Sequence, residues 1–300
     1  MSYVVAVDVG GTEIKSALVD SEFNLIATTS TSTPKADSTG AETVKTIAAI
    51  VADFGKTQKV EAVGLAVPGA LDEAAGSSRW SGNLQWKNLP IRNLLEDAIK
   101  IPVAFGHDVR TAAVAELRSG AAKGARNAIF IPVGTGIAAA LIIDGETRSA
   151  DGFAGEIGHI NVNGKYPCVC GKTGCLEAAS STLAISKAYE SQSGKSGTTT
   201  EEISKLVLSG DKIAIDVWDD ATAAMARACE LLITILAPEV IVFGGGLSNA
   251  GEIFLNPIQD YLDASLTFQH RPRLEIAHYG AKAGTIGCAI LAFDRLKANT

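Results

Sequence analysis

The segment from Tyr3 to Val9 is crowded with valine and stops at Asp8-Val9-Gly10-Gly11-Thr12. An apolar pattern resumes from Lys15 to Val19, so two strands turning on a glycine pair are predicted. From Ala41 to Phe54 the apolar positions Val44, Ile47, Ala48, Val51 and Phe54 fall at helical spacing. Val60 to Val67 then predicts a short buried strand ending at Pro68-Gly69, and Ile91 to Ile99 predicts an amphipathic helix. Ile101 to Phe105 is strand-like and runs through Gly106-His107-Asp108 into a helical pattern from Val109 to Arg118. A polar triplet thus stands where a strand meets a helix. In parallel α/β sheets, ligands gather at the carboxyl ends of strands.

The pattern then returns. Ala128 to Val133 predicts a strand, Gly134-Thr135-Gly136 a turn, and Ile137 to Ile143 a second strand. Two hairpins that each turn at a Gly-Thr pair suggest a duplicated α/β architecture. Helices are expected over Thr182 to Glu190 and Asp211 to Leu236, a strand over Val240 to Phe243 leading into Gly244-Gly245-Gly246, and a closing helix over Ala283 to Leu296. Ser191 to Thr200, rich in Ser, Gly and Thr, reads as the flexible stretch.

Composition narrows the classes. At 300 residues the chain exceeds what one hydrophobic core usually organises, so two lobes with a cleft are expected. Hydrophobic residues make up 47% and charged residues 20%, which excludes a disordered chain. A net charge of −7 disfavours nucleic acid or anionic lipid as general partners, so an anionic ligand needs a specific site. The first strand starts at Tyr3, no apolar run reaches the roughly 18 residues of a membrane span, and the expected location is the cytoplasm.

Each glycine turn has a chemical reading and a plain one. Asp8-Val9-Gly10-Gly11-Thr12 combines a carboxylate, two residues tolerant of unusual backbone angles and a hydroxyl. Such a turn can aim N–H groups at phosphate while Asp8 faces a hydrated magnesium ion, yet Gly-Gly is also what a type I′ hairpin prefers. Gly134-Thr135-Gly136 is a second turn of this kind, and Gly244-Gly245-Gly246 a third, suited to close approach of an adenine or ribose. Gly194-Lys195-Ser196 imitates a P-loop, but its required upstream glycine is Tyr189 inside a helical pattern, so it is rejected.

Cysteines at 168, 170 and 175 follow His159 closely. Three thiolates and an imidazole complete a tetrahedral zinc set with no open position, hence a structural one; the alternative is unrelated buried cysteines. Cys229 and Cys288 lie in apolar surroundings and read as buried small residues. Glu156 and Glu177 flank the ligands. They read either as solvated acids or as carboxylates pinned rigidly enough to bind sugar hydroxyls.

With these motifs in place the chain resembles the ROK family of sugar kinases and repressors over nearly all its length. Asp8 to Thr12 is similar to that family's first phosphate motif, Gly134 to Gly136 to its second, and Gly244 to Gly246 to its adenosine-side motif. The most specific likeness is Glu156-Ile157-Gly158-His159 followed by Cys168 to Glu177. The resemblance implies a two-lobed, actin-like ATPase (ribonuclease H-like) α/β fold with an interlobe cleft. The small lobe spans 1–110 and is rejoined by a C-terminal helix at about 285–300; the large lobe, 111–284, carries the zinc loop.

The same resemblance implies a kinase moving the ATP γ-phosphate to a hexose 6-hydroxyl, glucose first. N-acetylmannosamine or N-acetylglucosamine kinase and a sugar-sensing regulator are the alternatives. Asp108 is the implied base, and Gly69, Asn83, His107, Glu156, His159 and Glu177 the implied sugar contacts, with His159 serving zinc and sugar through different nitrogens. Asp8, Gly10, Gly11, Thr12 and Lys15 join the two later glycine turns at ATP and magnesium, and the implied assembly is a homodimer or homotetramer. An Asp at a helix start is also a common N-cap. His107 departs from the family's usual Asn before the catalytic Asp, and Ala138 stands where glycine is common. The added N-terminal winged helix domain of the repressors is not expected, because the phosphate strand already begins at Tyr3.

Overall fold

A computed structural model of the chain describes residues 2–298. Residues 1, 299 and 300, at the ends of the spans expected above, lie outside the described residues. In order the elements are β1 (Tyr3–Val9), β2 (Glu13–Asp20), β3 (Leu25–Ser32), α1 (Ala41–Gly55), β4 (Val60–Val67), β5 (Ala70–Asp72), β6 (Ser77–Ser81), β7 (Trp86–Leu89), α2 (Ile91–Ile99), β8 (Val103–His107) and α3 (Asp108–Ser119). Then follow β9 (Ala128–Pro132), β10 (Ala140–Ile143), β11 (Glu146–Arg148), α4 (Leu176–Ser180), α5 (Thr182–Ser193), α6 (Thr200–Leu208), α7 (Lys212–Leu236), β12 (Val240–Gly244), α8 (Glu252–Ser265), β13 (Arg273–Ile276) and α9 (Ala283–Lys297).

Among the described residues the strands form two five-stranded sheets of matching order, β3-β2-β1-β4-β8 and β11-β10-β9-β12-β13, and one three-stranded sheet, β5-β6-β7. In both large sheets the first three strands pair antiparallel with one another, and the third, fourth and fifth pair in parallel. The chain divides into two compact units. One reaches to Arg118 and takes in Ser149–Ala154 and the described chain from Lys282; the other comprises Ser119–Arg148 and Gly155–Ala281. No helix of the described residues is long and apolar enough to cross a membrane.

Strand alternation decides what each face of the first sheet meets. Val5, Val7 and Val9 of β1 pack with Ile47, Val51 and Phe54 of α1 and with Ile91 and Leu95 of α2. Val4 and Ala6 point the other way, into a cluster with Cys288, Ala289, Ala292 and Phe293 of α9. Asp8 continues that second series, which is why its carboxylate lies against Gly284 in the first turn of α9. The α9 face is lined by small residues, and Gly64 and Gly287 bring backbones into contact with Cys288 and Thr111, leaving no room for a Cβ.

Two expectations are corrected. The second strand of the second hairpin begins at Ala140, not Ile137; only a single bridge joins Val133 to Ile137, and the backbone after it turns instead to Gly155, whose carbonyl accepts Ala139 N–H at 2.8 Å. The stretch 191–200 takes in two helix ends, with 194–199 between them outside any helix. Gly194 closes α5 in a left-handed conformation, and Thr199 with Glu202 forms a capping box that starts α6. This also explains the false P-loop, since Tyr189 is buried inside α5.

Candidate active site

Asp8 stands opposite Lys15 in the β1–β2 register. Burial first, then the negative charge of Asp108, push its carboxyl up to about 6, and Lys15 offsets part of this. The turn itself differs from expectation. Neither Gly10 nor Gly11 takes a positive φ, so it is not a type I′ hairpin, which needs positive φ at both central residues. Gly10 N–H donates to Glu13 O at 2.8 Å, and Thr33, just past β3, donates its hydroxyl to Gly10 O at 2.7 Å while its N–H reaches Thr12 O at 3.0 Å. Gly10 N–H is therefore committed to the turn, whereas Gly11 and Thr12 are exposed. A Cβ on Gly11 would stand 3.1 Å from Asn83 Cβ, a tight contact that places Asn83 beside the turn.

Asp108 is the first residue of α3, at the carboxyl end of β8. Its Oδ1 accepts Val109 N–H at 2.7 Å, an i+1 contact, whereas an N-cap accepts from i+2 or i+3. His107 Nδ1 lies 3.2 Å from the same oxygen, off the line of a formed hydrogen bond with it. Glu73 accepts His107 N–H and Arg110 Nε, and neither Glu73 nor Arg110 was flagged by the sequence pattern. Gly69, at φ 114, packs against the Trp80 and Ser81 backbone, so its place in β4–β5 is fixed by conformation and close approach together.

In the second unit Glu177, in the first turn of α4, accepts Ile137 N–H at 2.9 Å and so braces the Gly134–Gly136 turn. A Cβ on Gly136 would meet Glu177 Oε2 at 2.7 Å, and one on Gly158 would lie 3.3 Å from the same oxygen. The Glu156-Ile157-Gly158-His159 segment is thereby held beside Glu177, with Glu156 exposed. Gly245 has φ 75 and abuts Val133 O, while Leu247 N–H donates to that oxygen at 3.2 Å, tying the third glycine turn to the second. A cavity of about 820 Å³ has Thr135 on one side and Gly246 and Asn249 on another, a size that suits a small-molecule ligand.

His159, Cys168, Cys170 and Cys175 converge, with all their ligand atoms within 4.8 Å of one another. His159 Nδ1 stands 3.6 Å from Cys168 Sγ, and Cys170 Sγ is 3.6 Å from Cys175 Sγ. Metal–ligand bonds of about 2.0–2.3 Å in a tetrahedron require ligand separations of about 3.6–3.8 Å, so the four residues fit a metal ion. The loop closes through Cys168 N–H to Lys172 O at 2.7 Å, with Gly171 and Gly174 at φ 87 and 92. Cys229 and Cys288 are buried apart from this cluster, as expected, and Cys288 Sγ–H donates to Val7 O.

A glucokinase of Halalkalibacterium halodurans is 33% identical to this chain, across 95% of the chain and 93% of its own length. A ROK family glucokinase from Streptomyces griseus, solved with glucose and AMPPNP, superposes with a TM-score of 0.84 at 28% identity, covering 98% of this chain and 100% of that one. The ROK hexokinase of Thermus thermophilus gives 0.82 at 30% identity, with 99% of each chain covered. The matched sheet orders and these superpositions make the fold actin-like. The family model for ROK proteins matches residues 4–295, nearly the whole described chain, and this protein therefore belongs to the ROK family.

Proposed function

We propose that Asp108 takes the proton from the 6-hydroxyl of a hexose, glucose first, as that oxygen receives the γ-phosphate of ATP. The chain is a hexose kinase of the glucokinase type. The observation that carries the residue assignment is the placing of Asp108 at a strand end, in charge contact with Asp8 and with Oδ1 already engaged. That leaves Oδ2 to meet the hydroxyl. An alcohol is a weak nucleophile near neutral pH, and a fixed carboxylate accepting its proton lowers the barrier.

Gly69, Asn83, His107, Glu156, His159 and Glu177 would hold the sugar. In this reading His159 turns Nε2 to a hydroxyl, because Nδ1 faces Cys168. Gly11, Thr12, Thr135 and Gly136 would receive phosphate oxygens, and the 820 Å³ cavity by Gly246 the nucleoside. Asp8, buried near Asp108 with Lys15 offsetting part of the charge, suits a divalent cation, and magnesium would supply charge neutralisation on the phosphates. Zinc fits the closed His-Cys₃ set in a structural role. The reading expects a cytoplasmic homodimer or homotetramer.

A coupled assay across glucose, mannose, N-acetylmannosamine and N-acetylglucosamine, with ATP and with polyphosphate, tests the reaction. Glucose with ATP should give the highest kcat/KM, and no turnover on any hexose would overturn the reading. Metal analysis should find about one zinc per chain, released by Cys170→Ser together with loss of local stability. Freshly prepared, unchelated protein without zinc would sink that assignment.

A further inference from the structure

We infer that Glu73 is a positioning residue for the base, stapling the junction of β8 and α3 that carries Asp108; the inference rests on the hexokinase reading of that residue. Glu73 follows β5 and lies 34 and 37 residues from its two partners in sequence. One atom, its Oε1, accepts His107 N–H at 3.1 Å and Arg110 Nε at 3.2 Å. His107 ends the strand and Arg110 belongs to the first turn of the helix, so the two donors bracket Asp108.

The fold explains why this junction needs an external acceptor. β8 is an edge strand, paired only with β4, so an N–H on its outer side has no ladder partner. Glu73 supplies that partner at the last strand residue. Arg110 is all but buried, with Nη2 lacking a hydrogen-bond partner among the described residues, and Glu73 is the carboxylate its side chain meets. The link is therefore charge-assisted, and losing it removes a carboxylate partner from a buried cation.

The consequence reaches Asp108 through geometry. Val109 N–H donates to Oδ1 and His107 Nδ1 stands 3.2 Å from that oxygen, and each is placed by the backbone that Glu73 pins. Fixing these neighbours limits rotation of the carboxylate and keeps Oδ2 turned outward. Glu73 itself need touch no substrate.

Three variants test the staple: Glu73→Ala, Glu73→Gln, whose amide oxygen still accepts both donors, and Glu73→Ala with Arg110→Met, which removes the buried charge and so protects folding. The first readout is hydrogen exchange at the His107 amide in protein without substrate. Exchange should quicken in both Ala variants and stay near the parent rate in the Gln variant. The second is steady-state kinetics with hexose and ATP. A base displaced by about 1 Å loses up to about 100-fold, so kcat should fall about 10- to 100-fold in the Ala variants with both KM values changed less than about threefold, and Gln should restore most of it. Unchanged exchange at His107 in Glu73→Ala overturns the staple. So does a folded double variant with kcat within about twofold of the parent, or an equal loss in the Gln and Ala variants. A parent protein inactive on every hexose would instead sink the kinase reading, while the exchange arm still decides the staple.

Discussion

The turn after β1 carries its carboxylate on the strand itself, as Asp8, whereas the turn after β9 has Pro132 at the matching place and borrows a carboxylate from a helix, Glu177. The first turn is closed by Gly10 N–H and pinned by Thr33; the second is braced through Ile137 N–H. Burial and Asp108 hold the Asp8 carboxyl near 6, an unfavourable place for a charge in the absence of a cation. Glu177 instead spends an oxygen on a backbone donor. Repeating a topology thus repeats the position of a glycine turn, while its chemistry is set by which neighbour supplies the acid.

That contrast can be broken most decisively at Asp108. Asp108→Asn keeps the shape but cannot accept the hydroxyl proton, so kcat should fall roughly 10²–10⁴-fold with hexose and ATP still binding. Near-normal turnover in a folded variant would remove the chemistry from the first unit and make Asp8 the next residue to test.

Asp8 provides the second test, through stability. Its carboxyl rises from 3.8 in the unfolded chain to about 6 when folded. Below the lower value both states are protonated and nothing is lost; between the two the unfolded chain ionises first, so stability declines as pH rises and levels off above about 6. At 1.36 kcal/mol per tenfold change the loss is about 3 kcal/mol at neutral pH without magnesium. Asp8→Asn should therefore raise stability toward that amount at pH 7, flatten the slope between pH 4 and 6, and impair phosphoryl transfer. Denaturant melts at pH 4, 5 and 7 with no gain at pH 7 would contradict it.

At the second turn, Glu177→Ala leaves Ile137 N–H without its acceptor and should cost about 1–3 kcal/mol, with Glu177→Gln recovering most. Thr33→Val, the parallel change at the first turn, should cost about 1 kcal/mol. Equal costs in urea melts would mean the two turns are braced alike. The smallest expected effect is at His107: His107→Asn should reorder the hexose preference with the ATP KM nearly unchanged. An unchanged order would leave His107 acting on Asp108 alone.

The parts legible in the sequence were those with a local signature. Valine density and glycine turns marked β1, β4 and β12, the break from Phe105 to Val109 marked the strand–helix junction, and ligand spacing marked the His-Cys₃ cluster. β3 was not legible because Leu25–Ser32 is mostly Thr and Ser on an exposed edge, without the apolar alternation that betrays a half-buried strand. Nor were β5, β6 and β7, short strands held by pairing with one another. Thr33, Glu73 and Arg110 escaped notice because their partners lie 23, 34 and 37 residues away. The plain alternative for Gly10 and Gly11, a type I′ hairpin, fails for a related reason: neither takes a positive φ, and Gly11 instead packs closely against Asn83, 72 residues away.

The seating of α9 on β1 and β4 also sets an order of events during synthesis. Val4, Ala6, Ala62 and Ala66 are made early, yet the helix that covers them, with Cys288, Ala289 and Ala292, is made more than 200 residues later. The second unit lies almost wholly between these pieces. At roughly 5–20 residues per second, the stretch of about 220 residues between Ala66 and Cys288 keeps one face of the first sheet bare for on the order of 10–45 s. The nascent chain therefore has an interval in which the second unit can fold while the first still offers an apolar surface to chaperones, and the docking of α9 is the step that closes it.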